Sequence, residues 1–538
     1  MAKVKATDLI DYTRASNGTA LAKVSYGDEL VTNGNFDTDV SGWTVNANGS
    51  LSLSSNRLRI TNVSGRGGAY TSFATEVGKV YSISLDVPDS DNPPSAFWVF
   101  SGTAPNTSGN FSVFNEPAGS HEYSFVASST TTYLTLYVSN NSVASYTEFD
   151  NVSVKEVLFD QPGGTLQLFI HPTNIPRIEY DADGNLLGLL IEESRTNLAT
   201  RSNEFDNGAG WVAGRVDITP NAAVSPDGNL NAYKLSQAAG ETASGFIYDI
   251  VTVSNSATYT ASVFAKKGTS RDILTINENI FDATSNFTYF DLSSGTVGTT
   301  DPAHTAVIED VGNGWYRCSI TFTSSQTAGY FQFRPLETDG SVTVTDNQGF
   351  IYLYGAQLEQ GSFPTSYIPT SGATATRAAD VASIPVSEFG YNQNQGTVVV
   401  EFASKHRPWS GFIRTFEIGK NGGANQISLI GTSGTNNTYA SIVDNGSSQL
   451  TFSDTFFVQP DTNFYKVCMA MKENDFDMAY NSSLVVGDTS LTIPSIDSTN
   501  SLFIGSDRNG GSVFSGHIKS IKYYPRRLTN AQLQELTT

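Results

Sequence analysis

Two segments far apart in this chain repeat one another. LVTNGNFDTDVSGW (residues 30–43) and LATRSNEFDNGAGW (198–211) share Leu, Thr, Asn, Gly and Trp at identical spacing, with the Phe-Asp pair offset by one. Further on, VYSISLDV after Lys79 answers TYTASVFA after Ala257, each with a Tyr followed three residues later by Ser. Two matched segments recurring in the same order mean that one supersecondary unit is built twice, so the fold must be serial.

The repeated unit is a β unit. In TTYLTLYVS (131–139), Tyr133, Thr135 and Tyr137 alternate with Leu134, Leu136 and Val138, which is the period of a strand and not of a helix. Composition agrees. Charged residues make up only 15% of the 538 residues, against an ordinary ~25%. Ser, Thr, Asn and Gly take their place, and small polar and β-branched side chains suit a pleated, half-wet surface. A chain of this length exceeds what one core can organise. We therefore expect an all-β protein of serial β-sandwich (jelly-roll) domains: a segment 1–27, a sandwich 28–157, a connector 158–197, a second sandwich 198–377, and a third unit 378–538 expected to fold alone. One short C-terminal helix is predicted, because Thr529 followed by Gln532 forms a capping box ahead of Leu533 and Leu536.

Charge and motif content narrow the function. A formal charge of −21 opposes nucleic-acid binding, which needs Lys and Arg to neutralise phosphates, and it disfavours anionic membranes. No stretch reaches the ~18 apolar residues of a membrane span, and MAKVKATDLIDYTRAS lacks the apolar core of a signal peptide. Synthesis in a cytoplasm without membrane insertion is the expectation. Cys318 and Cys468 each sit in an alternating strand and are expected to be buried thiols. His121, His171, His304, His406 and His517 are scattered without metal-ligand spacing.

Three resemblances add to this reading. The C-terminal LFIG and FSGHIKSIKYYPRRLTNAQLQEL resemble the end of laminin-G-like, or concanavalin-like, jelly-roll domains. The first two units are similar to carbohydrate-binding-module sandwiches. DYTRASNGTA (11–20), PRIEYDADGNLLGLLIEESRTNL (176–198), VGNGWYRCSITF (311–322) and YGAQLEQGSFPTSYIPTSGATATRAAD (354–380) together resemble recurring segments of tailed-bacteriophage structural proteins, notably tail fibres and virion surface proteins. In that family the TRAS segment usually lies shortly before the PRIEYD segment. Here the first sandwich interrupts them, which implies an inserted domain and a small subdomain made from 1–27 and 158–197. The resemblance implies a virion surface location, other virion proteins and host-surface carbohydrate as partners, and a homotrimer. No cofactor is certain. Modules related to the first sandwich often hold a structural calcium between first and last strands, where Asn35, Asp37 and Asp150 would meet.

The chemistry-bearing residues are few. YDADGNLLGLLIE places Asp181, Asp183, Asn185 and Glu192 at calcium-loop positions, but Leu186 stands where such a loop needs Gly, so a hairpin turn is the preferred reading. Glu417 stands alone, and Glu473, Asp475 and Asp477 read as crowded acids near a turn, which disfavours the paired carboxylates of a glycosidase. Sugar binding needs aromatic faces beside amide or carboxylate groups. Trp43, Trp211 and Trp315 read as core. Trp98, in SAFWVF, is either core or a platform, and Trp409 with His406 and Arg407 is the best loop candidate. The expected function is non-catalytic attachment to host-surface glycan. Decoration of capsid or tail through other virion proteins is the alternative, and a capsule depolymerase a more distant one.

Overall fold

The computed structural model describes residues 10–46, 48–88, 97–116, 118–206, 208, 210–241, 243–279, 285–345, 349–405, 412–431, 437–451, 456–457 and 463–538. The fold is all-β, built from serial sandwiches, and the helix Asn530–Leu536 closes the chain. Thr529 caps it with the reciprocal Gln532 box and Leu533 is buried, as the spacing predicts. The chain divides into two compact units: residues 23–165, and a frame of 1–22 with 166–538.

The 23–165 unit is a two-sheet sandwich. One sheet runs, edge to edge, Thr44–Val45, Gly68–Ala74, Thr131–Val138, Phe97–Gly102, Phe111–Glu116. The other sheet is centred on Tyr146–Phe159, which pairs with Val80–Val87, Leu58–Asn62 and the end of Gly18–Tyr26. Alternation does the sorting: Leu134, Leu136 and Val138 go inward with Phe97, Val99, Ile83 and Leu85 to form one core. Burial of these side chains is the main term holding the two sheets together.

The second sandwich, inside the frame, has the same topology. Its first sheet runs Trp211–Gly214, Phe246–Thr252, Ala328–Leu336, Ile273–Asn279, Ser285–Asp291, with a short Thr296–Val297 added. The opposing sheet runs Val216–Val224, Leu230–Gln237, Phe350–Gln360, Thr258–Lys267, Trp315–Thr323, Thr305–Gly312. Details repeat as well. The Tyr81 hydroxyl accepts from the Glu76 amide (2.8 Å) and its ring stacks on Phe125. Tyr259 accepts from the Ser254 amide (2.7 Å) and packs on Phe322. Phe36 meets Trp43, and Phe205 meets Trp211. The sequence repeat is therefore a repeat of packing. Trp43, Trp211 and Trp315 are all buried, as are the free thiols Cys318 and Cys468, the second pushed up to about 12 by burial.

The C-terminal sandwich extends beyond residues 378–538. Asp11–Thr13 pairs with Val381–Pro385 at the edge of one sheet. The hairpin of Ile178–Tyr180 and Leu186–Ile191 joins the other sheet by pairing Leu189, Leu190 and Ile191 with Ile518, His517 and Gly516. Tyr12, Leu189 and Ile191 lie in its core. Gly18–Tyr26 and Thr165–His171 are sheet neighbours, and Asp11–Thr13 and the 178–191 hairpin belong to one compact unit with the C-terminal sandwich. Strands this short cannot bury both faces without a larger sheet. Gly188 permits the hairpin's approach: it sits at φ +117°, and a Cβ there would lie 2.5 Å from the Ile518 carbonyl oxygen. The turn between the two strands is the hairpin expected of DADGN, with Asp181 accepting from the Asn185 backbone (2.8 Å).

These far-separated segments converge on a buried ionic cluster. Arg14, Arg177, Arg377, Glu192 and Asp380 are each 1% exposed or less. Arg177 bonds Glu192 (2.8 Å), Asp380, Ser366 Oγ (2.6 Å) and the Thr19 carbonyl (2.9 Å). Arg14 reaches Asp380 (3.3 Å), the Tyr12 hydroxyl (2.6 Å) and the carbonyls of His171 and Pro172. Arg377 lies 3.5 Å from Glu192 and donates to the Glu193 carbonyl. Burial would raise the Glu192 carboxyl, but Arg377 and Arg177 hold it well below the usual range. The TRAS, PRIEYD, IEES and TRAAD motifs thus share one physical task. Each supplies a charge that is tolerable in the interior only because the others are there.

Candidate functional site

Alternation also decides where the outward-facing rings of the 23–165 unit go. Phe97 and Val99 point into the core, so Trp98 and Phe100 occupy the opposite face of that strand. The register then sets Trp98 beside Tyr137, and Phe100 beside Thr135 on one side and Ser112 on the other. The result is an aromatic patch on the outer face of the sheet. Trp98 contacts Phe114 (5.1 Å between centroids) and Tyr137 (6.3 Å), while Phe100 contacts Phe114 (5.2 Å) and Tyr137 (5.3 Å). Phe114 is 52% exposed. The described part of that run, Phe97 to Phe100, alternates between core and surface.

Polar groups frame the rings. The Arg66 guanidinium lies 3.5 Å over the Trp98 ring and is fixed by two bonds to the Ser139 carbonyl. Trp98 Nε1 donates to Asn115 Oδ1 (3.1 Å), and the Tyr137 hydroxyl donates to Asn106 Oδ1 (2.8 Å). Burial raises the Tyr137 hydroxyl, which keeps it a neutral donor. Gly68 makes room for the Tyr137 ring: a Cβ there would sit 2.6 Å from it. Rings, two amides and one guanidinium on a single half-wet face are the elements that pack against sugar C–H faces and pair with hydroxyls.

The remaining candidates fall elsewhere. His406, Arg407 and Trp409 lie outside the described residues. Asn35 donates to Asp37, and Asp150 accepts from the Asn151 backbone (2.8 Å) at a bulge in its strand, so both acids are engaged in local hydrogen bonds. The first and last segments do touch, through the Val152 amide and Gly34 carbonyl (2.8 Å). Among the described residues no group of three or more His, Cys, Asp or Glu side chains is placed to hold a metal ion. Arg527 binds Asp475 and Asp477, Glu473 accepts from the Ile493 amide, and Arg414 and Arg508 flank the buried Glu417 at 2.6 Å each. Asp475, Asp477 and Glu417 serve as ion-pair partners, and Glu473 as a backbone acceptor. Sequence reasoning missed the ring partners Phe100, Phe114 and Tyr137, although the alternation of TTYLTLYVS already put Tyr137 opposite the core.

No family model matches the chain, and no curated protein matches it. Solved structures do. The CBM40 module of Ruminococcus gnavus IT-sialidase, bound to α2,3-sialyllactose, is 15% identical and aligns over 27% of this chain and 84% of its own (TM-score 0.24). The tandem CBM22-1–CBM22-2 of Paenibacillus barcinonensis Xyn10C is 11% identical over 63% and 100% (0.21). Mouse laminin α1 domains LG4-5 are 8% identical over 63% and 94% (0.18).

Proposed function

We propose that this chain is a non-catalytic carbohydrate-binding protein of a bacteriophage virion surface, engaging host-surface glycan through the outer face of the 23–165 sandwich. The observation that carries the reading is the cluster of Trp98, Phe100, Phe114 and Tyr137, framed by Arg66, Asn106 and Asn115 on the face turned away from the core. Such rings desolvate one side of a pyranose while the amides meet its hydroxyls. The virion placement rests on the DYTRAS, PRIEYD and TRAAD segments. Assembly into trimers would multiply weak individual contacts by avidity.

The test is binding of the purified full-length chain to intact host cells, in competition with phage adsorption. Saturable binding that blocks adsorption, weakened at least roughly tenfold by Trp98→Ala as expected for loss of one stacking ring, supports the reading. Absence of cell binding, with the protein attaching instead to particles that lack it, would make the sandwiches assembly surfaces.

A further inference from the structure

The shared topology of the two sandwiches allows their outer faces to be compared position by position. In the 23–165 unit one cross-strand row reads Thr44, Tyr70, Thr135, Phe100, Ser112. The same strands in the second sandwich read Val212, Tyr248, Gln332, Asn277, Phe287. Asn277 stands where Phe100 stands. Its neighbours Leu274 and Ile276 are core, so Thr275 and Asn277 lie on the face away from it.

That face has ring walls and a polar floor. Tyr248 and Tyr330 lie 4.7 Å apart, and the Arg334 guanidinium sits 5.3 Å from both Phe246 and Phe287. Arg334 is already committed, donating to Gln332 Oε1 (2.7 Å) and Ser244 Oγ (2.9 Å). The floor is Thr275, Asn277 and Gln332, at 0%, 1% and 2% exposure. Neither polar atom of the Asn277 amide has a hydrogen-bond partner, nor does Thr275 Oγ1. Leaving a buried donor and acceptor unpaired is costly. An adjacent donor and acceptor held without partners on a ring-bearing face match the paired hydroxyls of a sugar.

We propose that the second sandwich carries a second saccharide site, centred on Asn277 and walled by Tyr248 and Phe287, that takes a neutral sugar through a vicinal hydroxyl pair. A neutral ligand follows from the groups left without a partner, the Asn277 amide and the Thr275 hydroxyl, which are uncharged and offer a donor and acceptors for hydroxyls. This inference rests on the carbohydrate-binding reading above and extends it to a second face with different chemistry.

The test uses the full-length chain on a panel of immobilised neutral oligosaccharides of gluco, galacto, manno, xylo and rhamno configuration, with melting temperature measured in parallel. The expected result has three parts. Trp98→Ala retains binding to some of the panel, the double variant Trp98→Ala/Asn277→Ala loses it by at least tenfold, and Asn277→Ala alone melts no lower than the parent. The last point separates a ligand site from a structural role, because removing an unpaired buried amide should not destabilise the fold. Tyr248→Ala in the Trp98→Ala background gives an independent check, with the same loss expected. If Trp98→Ala alone abolishes all saccharide binding, the second site is overturned while the first stands. If the double variants bind as Trp98→Ala does, the second site is likewise overturned. If the unaltered chain binds nothing on the panel or on host cells, both readings fall together.

Discussion

Asp380 shows how much a single side chain can carry in this fold. It receives Tyr12, Arg14 and Arg177 and also accepts from the Glu192 amide (2.8 Å), while being fully buried. Asp380→Ala would leave three buried arginines facing only Glu192, and breaking a buried ion pair from one side costs about 3–5 kcal/mol. Chemical denaturation of the full chain should show that loss in the frame transition. His171, whose carbonyl accepts from Arg14, gives a pH signature. Burial, then Arg14 and Arg177, push its imidazole down to about 3. The unfolded chain takes up this proton near pH 6.5 and the folded chain does not, so the unfolded state binds more protons across that window. The contribution of His171 to stability is therefore full above pH 6.5 and is lost as pH drops toward 3. His171→Gln should flatten that slope in melting curves taken between pH 7 and 4. None of this convergence was legible in spacing, because Arg14 and Asp380 are separated by most of the chain and no periodicity links them. Trp98 was half legible: a continuous apolar run hides which residues face out, and only the pairing with the outward Tyr137 decides it.

Strands carried in from outside a domain's own stretch of sequence are the feature at the next scale up. Asp11–Thr13 and the Ile178–Ile191 hairpin each cover an edge of the C-terminal sandwich, and open edges are templates for aggregation. The fragment 378–538 would lose Tyr12, Leu189 and Ile191 from its core and would uncover both edges. We expect it to be aggregation-prone and to bind a hydrophobic dye, where the 166–538 fragment with 1–22 supplied is not. Gly188→Val tests the hairpin alone. The substitution forces a β-branched residue into positive φ and places its Cβ against the Ile518 backbone, so a loss of about 2–4 kcal/mol is expected from strain and clash together. Local chemistry announced several elements: the Thr529–Gln532 cap, the Asp181–Asn185 turn and the alternation of the sandwich strands. Which sheet an eleven-to-thirteen strand joins is a question of long-range pairing, and DYT contains too few residues to specify a partner.

At the scale of the whole molecule, the repeat and the interruption of TRAS from PRIEYD describe one architecture, a sandwich spliced into a frame. The chain leaves the frame on Gly18–Tyr26 and re-enters on Thr165–His171, which are neighbours in one sheet. The charged residues that lock the frame, Arg14 on one side of the insertion and Arg177, Glu192, Arg377 and Asp380 on the other, all belong to the frame itself. Replacing 23–165 by a short Gly-Ser turn should then leave the frame's ionic cluster and both of its sandwiches intact, because the splice points lie side by side and loop closure over a few residues is inexpensive. The shortened chain is expected to melt within a few degrees of the full chain's frame transition and to lose the binding that depends on Trp98. Residual sugar binding in that shortened chain, removed by Asn277→Ala, would assign it to the second sandwich. A shortened chain that fails to fold would mean that the frame draws stability from the insertion, and the two units would have to be treated as one cooperative structure.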